Sequence, residues 1–228
     1  MFVLISQRDL TVEKGANRDA LEQDYVSYYG KFGITLIPVS NDSTNIEEYF
    51  KLPIHGIILS GGNNVNPKLY NQEPKYPSDF SVNRDNTEKK LLEIAIKKKL
   101  PVLCECRGMQ FMNVFFNGRL IQSINDEIGT NHIAVNHKIK ITDEKIASFL
   151  GKTETIVNSF HKQGFTKKEL SKKLKPFAKT EDDIIEGIYH PDYQIVGIQW
   201  HPERDSPDKE INEKLIQAFI KRELFWKK

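Results

Sequence analysis

The segment LCECRGMQF, residues 103–111, contains both cysteines of the chain, Cys104 and Cys106. A cysteine can act as a nucleophile, bind a metal or form a disulfide. Residues two apart in a strand lie near the upper limit of Cα separation for a disulfide, so a bridge between these two is unfavourable. A structural zinc site needs four ligands, and the segment supplies at most two, with no Cys or His cluster nearby at a usual spacing. The residue types therefore favour a nucleophile.

Cys106 lies where an apolar run ends and a helical pattern begins. In an open α/β sheet, ligands bind beyond the carboxyl ends of the strands, where such a turn is found. The positive end of the following helix stabilises a thiolate, which is the nucleophilic form. Gly108 would let the strand and the helix approach closely. Cys104 falls inside the strand and is expected to be a small buried core residue.

A nucleophilic cysteine needs a base and a group that orients this base. His201 ends an apolar strand and is followed by proline and Glu203, whose carboxylate can hold the imidazole in one tautomer. Alone, a His-Pro-Glu sequence at a strand end is more often a turn, but together with a cysteine turn it indicates a catalytic pair. Four other histidines receive no role from the sequence: His55, His132, His137 and His190.

The segment GIILSGG, residues 56–62, ends a third apolar strand on Gly61 and Gly62. Their backbone N–H groups would lie at the same sheet edge as Cys106. With the amide that follows the nucleophile, they could form an oxyanion hole. A tight turn without catalytic use is the alternative, and this segment alone does not decide between the two.

The first half of the chain alternates apolar strand patterns with helical patterns, which predicts an α/β fold with a parallel sheet covered by helices on both faces. The predicted strands are 2–6, 34–39, 56–60 and 101–105, and the predicted helices are 18–33, 45–51, 86–99 and 107–118. The second half predicts short strands at 119–124, 134–142, 155–161, 177–180, 184–190 and 194–201, then a helix at 209–224. No repeat or linker divides the chain, so a single domain spanning 1–228 is expected. The polar loop at 63–84 is long enough to suggest function.

Composition excludes several classes of protein. The 228 residues are 39% hydrophobic and 28% charged, with a formal net charge of +2, so no nucleic-acid footprint is indicated. No apolar run approaches the roughly 20 residues of a membrane span. The N-terminal apolar run has no basic segment before it and no cleavage pattern after it, so it is expected to be a strand. A cytoplasmic protein is the expectation.

Several motifs, in this order and at these separations, resemble the class I glutamine amidotransferase fold and, within it, the γ-glutamyl hydrolase branch of peptidase C26 type. They are SGG, CRGMQ and HPE, with the loop SGGNNVNPKLY and the segment VNSFHKQ. The helix start NRDNTEKKLLEIA resembles an Arg-Asp-x-x-Glu pattern through Arg84, Asp85 and Glu88. Asn64 stands where this branch usually has aspartate. The resemblance implies a flavodoxin-like three-layer sandwich whose central sheet is mostly parallel, with extra short strands in the C-terminal half.

The resemblance also implies roles for particular residues. Cys106 would be the nucleophile, His201 the acid and base, and Glu203 the residue that orients it. The oxyanion donors would be the amides of Gly61, Gly62 and Arg107. Gln110 would hold the glutamyl group, and the pocket would include Asn158, Ser159 and His161, although Ser159 and His161 could equally be structural.

The implied reaction is hydrolysis of a γ-glutamyl amide through a γ-glutamyl thioester, with no metal or organic cofactor. The expected partner is a small-molecule γ-glutamyl amide, nucleotide-linked or not, with no nucleic acid, membrane or obligatory protein partner. Two other classes stay open: a glutaminase subunit that passes ammonia to a synthetase, and a non-enzymatic relative. No motif indicates a nucleotide-binding site. The cationic residues that could contact a diphosphate are Arg8, Arg18, Lys68 and Arg84.

Overall fold

The computed structural model describes residues 1–11 and 16–223. Its strands are β1 (Phe2–Ser6), β2 (Arg8–Thr11), β3 (Asn17–Ala20), β4 (Thr35–Val39), β5 (Ile54–Leu59), β6 (Val102–Glu105), β7 (Ile133–Ile141), β8 (Glu154–Phe160), β9 (Lys175–Lys179), β10 (Ile185–Tyr189) and β11 (Ile195–Ile198). Its helices are α1 (Gln23–Gly30), α2 (Ile46–Tyr49), α3 (Val82–Lys98), α4 (Arg107–Phe115), α5 (Ile124–Glu127), α6 (Glu144–Leu150) and α7 (Lys209–Lys221).

Nine strands form one sheet in the order β4-β1-β5-β6-β11-β10-β9-β7-β8. The pairs from β4 to β11 are parallel, and those from β11 to β8 are antiparallel. The parallel half is built from four apolar runs of the first half of the chain, β1, β4, β5 and β6, together with β11 from the second half. The prediction of a parallel sheet extended by short C-terminal strands is confirmed.

Each face of the sheet carries its own hydrophobic cluster. Successive side chains of a strand point to opposite faces, so Val3 and Ile5 of β1 join one cluster while Leu4 joins the other. Leu4 packs in the cluster that contains residues of α3 and α4, whereas Val3 and Ile5 pack in the cluster with residues of α1, α6 and α7. The result is the predicted sandwich of helix, sheet and helix.

Some sequence-based boundaries were wrong. Residues 18–20, predicted as helix, belong to β3, which pairs with β2 in a two-stranded ribbon, so that α1 begins only at Gln23. The predicted strand at 119–124 is absent: Ile121 makes one isolated bridge to Gly164, and α5 begins at Ile124. Helix α3 begins at Val82 and shortens the long loop, because the Ser81 hydroxyl caps it by accepting a hydrogen bond from an α3 amide.

Helix α6, whose N-terminus is capped by Asp143, was also not predicted from the sequence. No helix within residues 1–11 and 16–223 is long and apolar enough to cross a membrane.

Candidate active site

Cys106 occupies a strained turn between β6 and α4. Its backbone has φ 50° and ψ −106°, a combination that non-glycine residues rarely adopt and that is often found at functional sites. The amide of Cys106 donates to the carbonyl of Ile198 at 2.8 Å, which ties the turn to the end of β11. Its side chain is at the N-terminus of α4 and is 6% exposed. A thiol in this position faces the positive end of the helix dipole.

Gly108 allows this turn to pack against β5. A Cβ atom on Gly108 would lie 2.2 Å from the carbonyl oxygen of Leu59, closer than any side chain can approach. The predicted close approach of strand and helix is therefore confirmed. Cys104 is fully buried in the core and makes no disulfide, also as predicted.

His201 and Glu203 lie directly beside Cys106. Strands β11 and β6 are parallel neighbours in which Ile198 is paired with Glu105, so the residues that follow them meet at one sheet edge. His201 Nδ1 is 2.6 Å from Glu203 Oε1, and both side chains are buried. Because Glu203 occupies Nδ1, Nε2 is the ring nitrogen left to face the thiol.

The protonation of His201 follows from these two neighbours. Burial lowers the pKa of His201, but Cys106 and Glu203 raise it more, through their charges and their hydrogen bonds, to about 10. An imidazole with this pKa is protonated at neutral pH. The site can therefore hold an imidazolium beside the cysteine and supply a proton to a leaving group.

Of the three predicted oxyanion donors, one is already occupied. The Gly61 amide donates to the Tyr25 hydroxyl at 2.9 Å, so the prediction for Gly61 is not supported. The amides of Gly62 and Arg107 have no acceptor among the described residues. Gly62 has φ 124°, a conformation that glycine adopts without strain, and this turns the loop beside the nucleophile.

The Arg-Asp-x-x-Glu motif forms a buried ion network under this site. The guanidinium of Arg84 bonds Glu88 at 2.9 Å and donates to the carbonyls of Ser60 and Gly61 at 2.8 Å each. Arg107 pairs with Glu88 and with Asp85.

This ion network holds the loop at Gly61 and Gly62 against the turn at Cys106, because the Arg107 side chain also donates to the carbonyl of Asn63 at 3.2 Å. Arg84 is completely buried, so the expectation that it could meet a diphosphate is wrong. Asn64, which stands in place of the usual aspartate, is half-buried and donates to the hydroxyl of Ser78.

The predicted substrate-binding residues have other partners. Asn158 brackets the backbone of His201: its amide donates to the His201 carbonyl at 2.8 Å, and its oxygen accepts from the His201 amide at 2.9 Å. Ser159 donates to the carbonyl of His132 at 2.7 Å, and Gln110 donates to the carbonyl of Gln163 at 2.8 Å.

All three side chains are buried and satisfied within the protein, so direct contact with substrate is not supported for Asn158 and Ser159. Gln110 would have to exchange its internal partners to hold a glutamyl group. His161 lies in a separate cluster of histidines, and a pocket role is not supported for it either.

A second layer of polar residues below Cys106, His201 and Glu203 was not predicted from the sequence. Tyr29 donates a short hydrogen bond to Glu105, a fully buried carboxyl directly before the nucleophile. Burial raises the pKa of Glu105, and the charge of Glu203 raises it further. Tyr25 and Tyr29 stack with parallel rings on α1. No local pattern marks these tyrosines, because the contact joins residues 76 positions apart.

The chain belongs to the peptidase C26 family, whose model matches residues 3–203. A Schizosaccharomyces pombe protein named for the glutamine amidotransferases is 37% identical over 74% of this chain and 70% of its own length. The γ-glutamyl-CDP-amidate hydrolase of Campylobacter jejuni is 30% identical over 90% of this chain and 92% of its own. The γ-glutamyl-γ-aminobutyrate hydrolase of Escherichia coli O157:H7 is 27% identical over 91% and 87%.

Solved structures share the fold. The glutaminase domain of Trypanosoma brucei CTPS with bound acivicin superposes with a TM-score of 0.65 at 13% identity and covers 99% of this chain and 96% of its own. A glutamine amidotransferase from Thermotoga maritima superposes with a TM-score of 0.59 at 18% identity, over 97% and 83%. The fold is therefore that of the class I glutamine amidotransferases, and the function is of the γ-glutamyl hydrolase or amidotransferase-like kind.

Proposed function

We propose that this protein is a cysteine-dependent hydrolase of γ-glutamyl amides. The observation that carries the proposal is the strained Cys106 turn beside a His201–Glu203 pair whose imidazole is protonated at neutral pH. Membership of the peptidase C26 family supports the reaction class, and the geometry of the site supports the roles proposed for these residues.

In the first step, the Cys106 thiolate attacks the γ-carbonyl carbon, and the amides of Gly62 and Arg107 stabilise the oxyanion that forms. The C–N bond then breaks, and the imidazolium of His201 gives its proton to the departing nitrogen. A γ-glutamyl thioester and a free amine-type leaving group result. Glu203 keeps the imidazole oriented through its contact with Nδ1.

In the second step, neutral His201 takes a proton from water, and the hydroxide attacks the thioester carbonyl. The C–S bond breaks, which releases glutamate and restores the thiolate and the imidazolium. No step requires a metal or an organic cofactor. A glutaminase subunit would use the same chemistry on glutamine, and dependence of activity on a synthetase would distinguish it from a free-standing hydrolase.

For the leaving group, we favour a nucleotide-linked amide of the γ-glutamyl-CDP-amidate type. The similarity to the Campylobacter jejuni hydrolase over 90% of the chain supports it. Two half-exposed arginines near the site also favour an anionic leaving group. Arg8 lies beside Gly62 and pairs with Glu22 through Nη2, while its buried Nε has no hydrogen-bond partner. Arg204 lies 3.6 Å from Glu203 and stacks on Phe160, whose ring is 5.9 Å from that of His201. Such a substrate would belong to capsule phosphoramidate synthesis in the cytoplasm.

The test is glutamate release from three substrates: glutamine, γ-glutamyl-γ-aminobutyrate and γ-glutamyl-CDP-amidate. We expect fast turnover of the nucleotide conjugate, abolished in Cys106→Ala and retained in Cys104→Ala, its matched control. A fully active Cys106→Ala beside an inactive Cys104→Ala would refute the nucleophile. Preference for the aminobutyrate conjugate would keep the mechanism and reject the substrate. No release from any of the three would refute a free-standing hydrolase of these amides.

The role of the arginines has its own test. We expect Arg8→Gln to raise KM for the nucleotide conjugate and to leave KM for γ-glutamyl-γ-aminobutyrate unchanged, because only the first carries a diphosphate. An equal change for both substrates would reject a role for Arg8 in leaving-group recognition.

A further inference from the structure

Four side chains from distant parts of the chain converge at a second place in the fold. They are His132, His137, His161 and Glu186. One ligand-type atom from each lies within 4.8 Å of all the others. Glu186 and His161 are fully buried, His132 nearly so, and His137 is 16% exposed through its side chain. None of these residues has a part in the proposed hydrolysis.

The atoms that face the centre of this cluster lack hydrogen bonds. His132 Nδ1, His137 Nε2, His161 Nε2 and both carboxylate oxygens of Glu186 are inaccessible to water and have no hydrogen-bond partner. Buried polar atoms almost always make a hydrogen bond, so five buried polar atoms that face one another without one are unusual. Their arrangement indicates a missing shared partner.

The distances suit a single ion. Glu186 Oε1 lies 3.3 Å from His161 Nε2 and 3.9 Å from His132 Nδ1, and Oε2 lies 3.5 Å from His137 Nε2. Donors about 2.0–2.1 Å from a tetrahedral zinc ion are about 3.3 Å apart from each other. The rings of His132 and His137 meet at 71°, and those of His132 and His161 at 59°, so they converge edgewise without stacking.

The outward-facing nitrogens of two rings are already held. His132 Nε2 is 2.9 Å from Asp182 Oδ2, and His161 Nδ1 is 2.9 Å from the carbonyl oxygen of Gln163. Each contact makes that nitrogen the N–H donor and leaves the other one with a lone pair directed into the cluster. Metal-binding histidines are oriented in this way by carboxylates and backbone carbonyls.

We propose that these four side chains form a binding site for a divalent transition-metal ion, with zinc as the expected occupant. Three imidazoles and one carboxylate, with no thiolate, are a donor set that zinc accepts. Four protein donors in a largely buried place would fill the coordination shell, so the role is structural. The ion would take no part in the hydrolysis.

The sheet shows what the ion would hold together. The β7–β8 hairpin pairs with β9 through Lys140 and Ile141, at the far end of β7, and the Thr142 amide just beyond them donates to the carbonyl of Phe177 at 2.7 Å. Toward the start of β7, no ladder among the described residues joins the hairpin to β9, and the cluster lies there instead. Glu186 lies at an irregularity in the β9–β10 ladder, between Ile185 and Gly187. The metal would therefore fix the open end of the hairpin to β10.

The first measurement is the metal content of the purified full chain after dialysis against metal-free buffer. We expect about one zinc per chain, lost in His161→Ala and in Glu186→Gln. His55→Ala, a histidine outside the cluster, is the matched control and should keep the metal. Asp182→Asn should weaken zinc binding by about 10–100-fold, since it leaves all four ligands in place and replaces only the carboxylate that orients His132.

A cobalt-exchanged sample tests the donor set even if a ligand variant fails to fold. Four-coordinate cobalt with nitrogen and oxygen donors gives visible d–d bands without thiolate charge-transfer absorption. A chelator should lower Tm, and zinc should restore it.

Two results would overturn the proposal. One is a wild-type chain that holds no metal and shows neither cobalt bands nor a zinc-dependent Tm. The charge of Glu186 would then be balanced by a protonated histidine of the cluster instead of a metal ion. The other is metal retained in Glu186→Gln and lost in Cys106→Ala, which would locate the ion at the catalytic thiol. Neither result depends on which substrate the protein hydrolyses.

Discussion

His201 is buried between a thiol and a carboxylate, and this sets the charge that it carries. Its pKa of about 10 lies above the ordinary value of 6.5, so any stability it contributes is complete below pH 6.5 and is lost as the pH rises through 10. As the acid that protonates the leaving nitrogen, it should stay competent over the same range.

We therefore expect kcat/KM to keep its alkaline limb near pH 10 in the wild type. Glu203→Gln removes a negative charge from the ring, so the pKa of His201 falls and the limb moves to lower pH. The value of kcat should also fall, by up to about 10⁴-fold, because the ring loses its orientation. pH–rate profiles of both proteins measure this. An alkaline limb at the same pH in both would contradict the assigned role of Glu203.

Glu105 is the second residue with an unusual protonation state. Burial, and then the charge of Glu203, raise its pKa, so the folded protein keeps a proton that the unfolded chain loses above about pH 4.3. The native state then binds more protons than the unfolded state, and this group lowers the free energy of unfolding as the pH rises.

We expect the stability of Glu105→Gln relative to the wild type to increase as the pH rises above the ordinary pKa of a glutamate, because the variant has no carboxyl whose proton the folded protein must retain. Glutamine keeps the shape and can still accept the hydrogen bond from Tyr29. Urea unfolding at several pH values gives the comparison. A stability difference that is the same at every pH would show that Glu105 is ionised in the folded protein.

Among the elements, α3 supports the site without reaching it. Its first turns carry Arg84, Asp85 and Glu88 on a buried face, which continues further along the helix with the apolar Leu91, Leu92 and Ala95. Paired buried charges contribute little net stability, but removal of one partner leaves the other uncompensated. The motif therefore acts as a support for the glycine loop and the nucleophile turn.

Glu88→Ala should lower the free energy of unfolding by about 3–5 kcal/mol, because Arg84 loses its carboxylate partner and Arg107 keeps only Asp85. Glu93→Ala, on the same helix, is the control: its side chain is half-exposed and forms only a 3.9 Å pair with Lys89. Denaturant titration of both variants provides the measurement. Equal small losses would mean that the network is not needed to hold the fold.

At the scale of the whole molecule, the β7–β8 hairpin is connected to the catalytic residues through Asn158. This side chain is on β8, yet both of its amide atoms hold the backbone of His201 beyond the end of β11. The hairpin thereby sets the position of the acid and base, although it contributes no reacting group. The proposed metal cluster would anchor the same end of this hairpin to β10.

We expect Asn158→Ala to lower kcat by about 100-fold with little change in KM, because a shift of about 1 Å in a catalytic group costs this much. Asn136→Ala is the control, since Asn136 is the exposed cross-strand partner of Asn158. Steady-state kinetics with any substrate that is turned over suffices. An unchanged kcat in Asn158→Ala would show that the hairpin does not position His201.

The sequence by itself determined the parts that depend on local pattern. Largely apolar runs predicted β1, β5 and β6, since a strand covered on both faces buries most of its side chains. The same pattern predicted β4, although this edge strand is fully buried only at Val39. The position of Cys106 after a strand and before a helix predicted its turn at the carboxyl end of the strand, and Gly108 predicted the close packing behind it. His201 and Glu203 are two residues apart, so their contact could also be predicted from the sequence.

Only the tertiary structure decided which distant groups meet. The Tyr25 hydroxyl takes the amide of Gly61, 36 positions away, and removes it from the oxyanion donors. Asn158 proves to hold His201, and four residues between 132 and 186 converge into one cluster. The strand at β3 likewise depends on pairing with β2. Such contacts are set by how strands are ordered and registered in the sheet, and no spacing along the sequence encodes that order.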